Sequence, residues 1–210
     1  TVLCTSIQSK HEDITMKKSN SSVKGRIVSA AWKLFYRYGY DDTTIDDIVE
    51  ASQTSKGSFY HYFSTKADLL GSLSYLFDSK YEELVETMDR DMDPIEKLLF
   101  LNEELFLMIE NTVPCNLLTQ LFASQLTVKG ERHLLDQDRT YYKLLRQIAV
   151  EGKEQGLFRD GQTVNDITRA YAMYERAVMY DWCISSGNYS LCQYSQRQLP
   201  LFLHGMLKEP

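Results

Sequence analysis

Proline and glycine are scarce, four and ten in 210 residues. Their scarcity leaves long stretches in which apolar residues recur at helical spacing, without the alternation and turn clusters that sheets require. The expected fold is therefore all-α. No apolar run reaches the length of about 18 residues that a membrane helix needs, and the opening TVLCTSIQSKHEDIT is too polar for the core of a signal peptide. A cytoplasmic protein with no membrane partner is expected. The four cysteines, Cys4, Cys115, Cys183 and Cys192, show neither CxxC nor metal-ligand spacing. They read as reduced thiols packed as small hydrophobes, not as a disulfide framework or a zinc site. Histidine is equally dispersed, at His11, His61, His133 and His204. A nucleophile elbow, a P-loop, an HExxH and a dinucleotide fingerprint are all missing. No catalytic residue, cofactor or metal is expected, and the chain does not read as an enzyme.

What is present is apolar content sufficient for a core, 43% of residues, and an uneven distribution of charge. The net charge of −6 argues against nucleic acid until it is divided along the chain. Residues 17–70 hold 8 basic against 6 acidic side chains, whereas residues 71–210 hold 14 against 21. A small basic head precedes an acidic body, as it would if an electrostatic footprint were confined to one module.

Residues 1–15 lack periodicity, and Met16 followed by KKSNSS reads as a translation start with a short basic arm. The expected divisions are an arm over 1–22, a head over 23–70 and a helical body over 71–210. In the head, Ile27, Ala31, Leu34, Phe35 and Tyr38 mark a first helix closed by Gly39. Thr44 and Asp47 form a capping box for a second, Ile45 to about Ala51. Ser52-Gln53-Thr54 makes a tight turn, and a third helix runs from about Ser55 to Tyr62. The fourth is expected to begin after Ser64-Thr65 and to continue to about Met88. Asp93-Pro94 opens a fifth that ends near Asn111. A sixth covers about 114–128 and a seventh roughly Leu134 to Gln155. An eighth opens on the capping box Thr163/Asp166, and a ninth from Ser190 is interrupted at Pro200.

With Phe59 and Phe63 turned inward, a rotation of about 100° per residue puts Lys56, Gly57, Tyr60 and His61 on the opposite side of the third helix, with Ser58 at the flank. Gly57 in so short a helix costs about 1 kcal/mol relative to Ala, and close backbone approach to another molecule is one reason to accept it. Two short helices joined by a tight turn match a helix-turn-helix whose second helix enters the major groove. A surface helix on an ordinary three-helix unit fits the pattern as well.

The stretch from Arg26 to Leu70 resembles the N-terminal domain of the tetracycline-repressor family. The matching positions are the AAxxLF helix at Ala30 to Phe35, Gly39, Thr43-Thr44, Ile48, Ser-Lys-Gly-Ser at 55–58, Phe-Tyr-His-Tyr-Phe at 59–63, and Lys66 with Leu69. In the turn the family often has Ala-Gly-Val where this chain has Ser52-Gln53-Thr54, so Gln53 must adopt the backbone angle that glycine would take. The resemblance implies that Ser55, Lys56, Gly57, Ser58 and Tyr60 lie at the groove, and that Thr44, His61 and Lys66 grip phosphates. Tyr60 and His61 could instead cap the small core.

The resemblance also implies a homodimer with two recognition helices on a palindromic double-stranded operator, half-sites roughly 34 Å apart, and a body that binds a small-molecule effector. Ile167, Tyr171, Tyr174, Val178, Leu191, Leu199, Phe202 and Leu203 could supply the dimer contact. With 14 Tyr and 9 Phe, the body could line an aromatic pocket for a hydrophobic or cationic molecule. Phe106, Phe122, Tyr142 and Tyr174 are its candidates, with Asp181 as a buried polar contact; aromatic residues at helical spacing also serve simply as core. A ligand-released transcriptional repressor is the implied function. Its rivals are a helix-turn-helix protein with an architectural or cell-division role, and a helical dimer that has lost DNA binding.

Overall fold

The computed structural model describes residues 22–127 and 132–208, apart from the side chain of Tyr75. The expected arm lies outside these residues except for Ser22. Nine α-helices and two 3-10 helices make up the described chain, and its one β-pairing is an isolated antiparallel bridge between Phe158 and Leu207. The fold is all-α. It divides into two compact units, Thr1–Leu76 and Phe77–Pro210. No helix among the described residues is long and apolar enough to cross a membrane.

The first unit contains α1 (Val23–Tyr38), α2 (Ile45–Ala51), α3 (Lys56–Tyr62), a 3-10 helix (Lys66–Ser72) and the start of α4 (Leu73–Thr87). The first four starts are each set by a short polar side chain that takes up a backbone N–H left without an intrahelical partner. Ser22 accepts from Gly25, Ser55 from Ser58, and Thr44 and Thr65 form capping boxes with Asp47 and Asp68. α1 ends at Gly39, whose φ of 88° is open to glycine and whose N–H reaches Phe35 O. Ile27, Ala31, Phe35, Ile48, Phe59 and Leu69 close the core of this unit. The expected long fourth helix is instead a 3-10 segment followed by α4. Gly71 and Ser72 fall at that junction, and the Ser72 hydroxyl turns back to Leu69 O while receiving the Trp32 indole N–H at 2.7 Å.

The second unit holds α5 (Pro94–Thr112), α6 (Cys115–Thr127), α7 (Thr140–Glu154), α8 (Val164–Ile184) and α9 (Leu191–His204), with a 3-10 turn at His133–Leu135. α5 packs on α9 and α7, and α8 packs on α6, α7 and α9. The expected seventh helix from Leu134 is thus split, because Asp136 to Asp138 form a turn before α7. α9 runs through Pro200 uninterrupted. Proline there removes one backbone donor, and the carbonyl four residues back belongs to exposed Gln196, within reach of water. Gly152 is fixed by packing: a Cβ at this position would run into the Phe158 ring. Lys97, 7% exposed, is carried by both carboxylate oxygens of Glu151, at 2.8 and 2.7 Å. Cys115, Cys183 and Cys192 are free thiols, and burial pushes Cys183 up to about 11.

Candidate nucleic-acid interface and interior cavity

The turn between α2 and α3 sets the angle of α3. Gln53 takes a φ of 53°, the left-handed conformation in which a non-glycine residue costs about 1–2 kcal/mol. Neighbouring bonds hold it there. Gln53 and Thr54 donate their backbone N–H groups to Glu50 O and Val49 O. The buried Ser52 hydroxyl bonds to Val49 O and lies 2.8 Å from Thr54 Oγ1. Phe59 is fully buried and packs edge-on to Tyr60.

That anchoring leaves Ser55, Lys56, Gly57, Tyr60 and His61 exposed on α3, with Ser58 half-buried. Tyr60 is 55% exposed and does not cap the core; the exposed His61 ring lies edge-on to Tyr62. A Cβ on Gly57 would meet only Ser55 Oγ, at an ordinary 3.7 Å. Nothing inside the unit requires glycine there. The single hydroxyl contact between Ser55 and Ser58, 3.0 Å, uses one of their two protons. Lys56 pairs at 2.7 Å with Asp46 on α2, a partner that sequence reading did not identify. The hydrogen bond and charge of Asp46 raise the Lys56 ammonium above its ordinary value. Both side chains are well exposed, so the pair is a weak one that a phosphate can replace.

Two residues expected at phosphates, Lys66 and Thr44, make bonds within the unit. Lys66 donates to Tyr40 O at 2.6 Å and Thr43 O at 2.7 Å, with Asp41 O at 3.4 Å, and its ammonium lies over the Tyr40 ring. The three hydrogens of the ammonium are directed at the loop after α1, so Lys66 ties that loop to the 3-10 helix. Thr44 is consumed by its own capping box. Its hydroxyl donates to Asp47 Oδ2 at 2.6 Å and accepts from Asp47 N, while its N–H donates to Asp47 Oδ2. These bonds hold the Asp47 carboxyl below its usual range, and a second carboxylate, Asp46, also occupies the first turn of α2. That end of α2 is already electrostatically satisfied.

In the second unit a cavity of about 30 Å³ lies among α4, α6, α7 and α8. Its wall is apolar from Phe77, Leu118, Phe122 and Met179, and polar from Tyr81, Arg139, Tyr141, Glu175 and Arg176. Glu175 is 2% exposed and accepts from Tyr141 Oη at 2.6 Å and Asn102 Nδ2 at 3.0 Å. Burial raises its carboxyl above the usual range, while those two hydrogen bonds oppose the rise. Asn102 in turn accepts from Ser195, and Arg139 pairs with Asp78 at 2.9 Å.

Of the expected pocket residues, only Phe122 lines this cavity. Tyr142 stands behind it, buried, receiving Arg176 Nη1 at 2.9 Å and donating to Leu134 O. Phe106 is fully buried core. Tyr174 stacks on Phe202 with ring centroids 4.9 Å apart and shares a hydrogen bond with Ser195. Asp181 is exposed and accepts from Tyr189 on the surface, so it is not a buried contact. Sequence reading missed Tyr81, Tyr141, Glu175 and Arg176. Glu175 had a signal: it sits four residues after Tyr171 and seven before Trp182, on the apolar stripe of α8.

A short helix held by a tight turn, with its polar face outward, and a separate larger helical unit define a helix-turn-helix DNA-binding protein with an appended regulatory body. Residues 27–73 match the bacterial regulatory proteins of the tetR family, and residues 77–205 match the C-terminal region of YsiA-like proteins. The chain belongs to the tetR family of transcriptional regulators. It is 26% identical to the HTH-type transcriptional repressor KstR2 of Mycobacterium tuberculosis, over 90% of this chain and 95% of that protein. It is 23% identical to the fatty acid metabolism regulator protein of Bacillus subtilis, over 86% and 94%. Thermus thermophilus FadR, a repressor solved in complex with lauroyl-CoA, superposes with a TM-score of 0.74 at 25% identity, covering 88% of this chain and 95% of that one. These relatives are transcriptional regulators, and an architectural role has no support among them.

Proposed function

We propose that the protein is a homodimeric repressor whose α3 helices enter successive major grooves of a palindromic operator, and that a ligand with an apolar chain, lodged in the body, releases it. The observation that carries the DNA reading is the outward face of α3, where Ser55, Lys56, Gly57, Ser58, Tyr60 and His61 stand around a glycine that the protein's own packing does not need. Lys56 exchanges Asp46 for a phosphate or base edge, and Gly57 lets the helix backbone approach the duplex.

The dimer contact we assign to α8 and α9. Met173, Ala177, Tyr180 and Ile184 recur at helical spacing on the exposed side of α8, and Tyr194, Gln198 and Leu201 do so on α9. Ile184 is 65% and Leu201 69% exposed, surfaces that a second copy would cover. This stripe replaces most of the residues expected from sequence: Ile167, Tyr171, Val178, Leu191, Leu199 and Leu203 are buried within the protomer.

The ligand reading rests on the apolar cavity wall and on the likeness to the lauroyl-CoA-bound repressor. A cavity of about 30 Å³ holds about two waters, so a chain must part the helices on entry. α4 carries Phe77 in the cavity wall and begins in the head, which gives ligand entry a covalent route to the DNA-binding unit. Affinity for DNA then falls by the ligand's preference for the parted state. The test is selection of bound sequences from a random DNA pool, followed by titration of lauroyl-CoA into the complex. A palindrome released by lauroyl-CoA supports both parts. Absence of any enriched palindrome refutes the operator reading, and a complex indifferent to acyl thioesters refutes the ligand reading.

A further inference from the structure

Tyr81 is the one polar group in the cavity wall whose chemistry is unfinished. The residue is 1% exposed, and its hydroxyl has no hydrogen-bond partner among the described residues. Its ring lies 5.0 Å from that of Tyr141, yet the Tyr141 hydroxyl is spent on Glu175. A buried donor left without a partner costs about 1–3 kcal/mol, and this one sits at the wall of a cavity that is otherwise largely hydrocarbon.

The charges around that hydroxyl restrict what can complete it. Glu175, Arg139 and Asp78 all act on it electrostatically. Arg139 and Asp78 neutralise each other as an ion pair with side chains only 8% and 13% exposed. Glu175 and Arg176 are adjacent on α8 and both line the cavity. A charged ligand group would lose its hydration in this buried site, where Arg139 is already paired with Asp78 and Arg176 is already bonded to Tyr142. A neutral acceptor carries no such cost. Tyr141 and Asn102 already fill Glu175's nearer positions, which leaves the Tyr81 O–H as the donor without an acceptor.

Building on the ligand reading above, we propose that the cavity selects ligands whose apolar body carries a neutral oxygen, a ketone or a hydroxyl, placed to accept a hydrogen bond from Tyr81. A plain saturated chain leaves that donor buried and unpaired. An oxygenated chain satisfies it, and the difference is the specificity of the site.

The test measures binding of lauroyl-CoA and of its mono-oxo derivatives, with the ketone walked one carbon at a time along the chain, to the wild type and to Tyr81→Phe. Phenylalanine keeps the ring and removes only the unpaired hydroxyl, so the variant folds at least as well as the wild type, which thermal unfolding verifies. The expected result is one ketone position that binds the wild type about ten-fold tighter than lauroyl-CoA, a ratio that falls to about one in Tyr81→Phe. Should lauroyl-CoA bind and no oxo derivative exceed it, the hydroxyl is met by water, and the selectivity proposal is overturned while the ligand reading stands. An oxo advantage that survives in Tyr81→Phe overturns it equally. If no member of the series binds either protein, the ligand reading falls and takes this proposal with it.

Discussion

Gly57 and Lys66 show how differently single residues on the same small unit can be used. Gly57 has open space where a Cβ would stand, so Gly57→Ala should stabilise the free protein by about 0.5–1 kcal/mol through helix propensity. The same substitution should weaken operator binding by putting a methyl group between helix and duplex. Thermal unfolding and a binding titration on one sample check the two signs together, and a variant that is more stable with undiminished affinity would remove the reason given for the glycine. Lys66 behaves oppositely. Its bonds to the carbonyls of Tyr40, Asp41 and Thr43 predict that Lys66→Met lowers stability by about 2 kcal/mol in urea unfolding. The slope of operator affinity against salt should not change, because no phosphate contact is lost. The position of Lys66 in the motif was legible in the sequence, but its direction was not. A lysine after an N-cap points outward unless carbonyls from a distant loop happen to converge on it, and that convergence is a tertiary fact. The strained Gln53 was legible, because a turn that ordinarily uses glycine imposes its φ on whatever residue replaces it.

At the scale of elements, helix starts were easier to read than helix identities. Thr44/Asp47 and Thr163/Asp166 form the capping boxes that their spacing announces, and Asp93 caps the helix that Pro94 opens, since a cap is a local bond between residues two or three apart. The break between the 3-10 helix and α4, and the turn before α7, carry no comparable signal. Apolar periodicity survives both interruptions. The inward and outward faces of α8 and α9 were not separable in the sequence, because the core and the proposed interface draw on apolar residues of the same type. The assignment of Ile184 and Leu201 to the interface predicts that Leu201→Glu, exposed in the protomer, leaves secondary structure intact and converts the protein to a monomer in sedimentation. Operator affinity should fall with it. A dimeric Leu201→Glu protein would move the interface elsewhere. α8 also carries Glu175, whose raised carboxyl gives the body a pH signature. The folded protein holds this proton more tightly than the unfolded chain, so its contribution is full at acid pH and is lost as pH rises through the raised value, above the ordinary carboxylate range. Urea midpoints of the wild type should fall across that window more steeply than those of Glu175→Gln; parallel curves would contradict a carboxyl raised by burial.

For the whole molecule, the division of charge seen in the sequence corresponds to a division of labour. The head presents a small polar surface set by α3, and the acidic body surrounds a polar cluster that periodicity cannot reveal, because Tyr81, Asn102, Tyr141 and Glu175 come from four different helices. A helix-turn-helix unit is readable because its caps, turn and apolar anchors are spacings between near neighbours in the chain. The interior cavity is assembled from residues far apart in the chain and leaves no local spacing to read. The claim on which the rest depends is that the outward face of α3 engages operator DNA, and the most direct measurement is the salt dependence of operator affinity for Lys56→Ala/Tyr60→Ala beside the wild type. The account predicts at least a ten-fold loss of affinity, about 1.4 kcal/mol, and a log–log salt slope reduced by about two, one phosphate contact for each protomer. Unchanged affinity and an unchanged slope would contradict it.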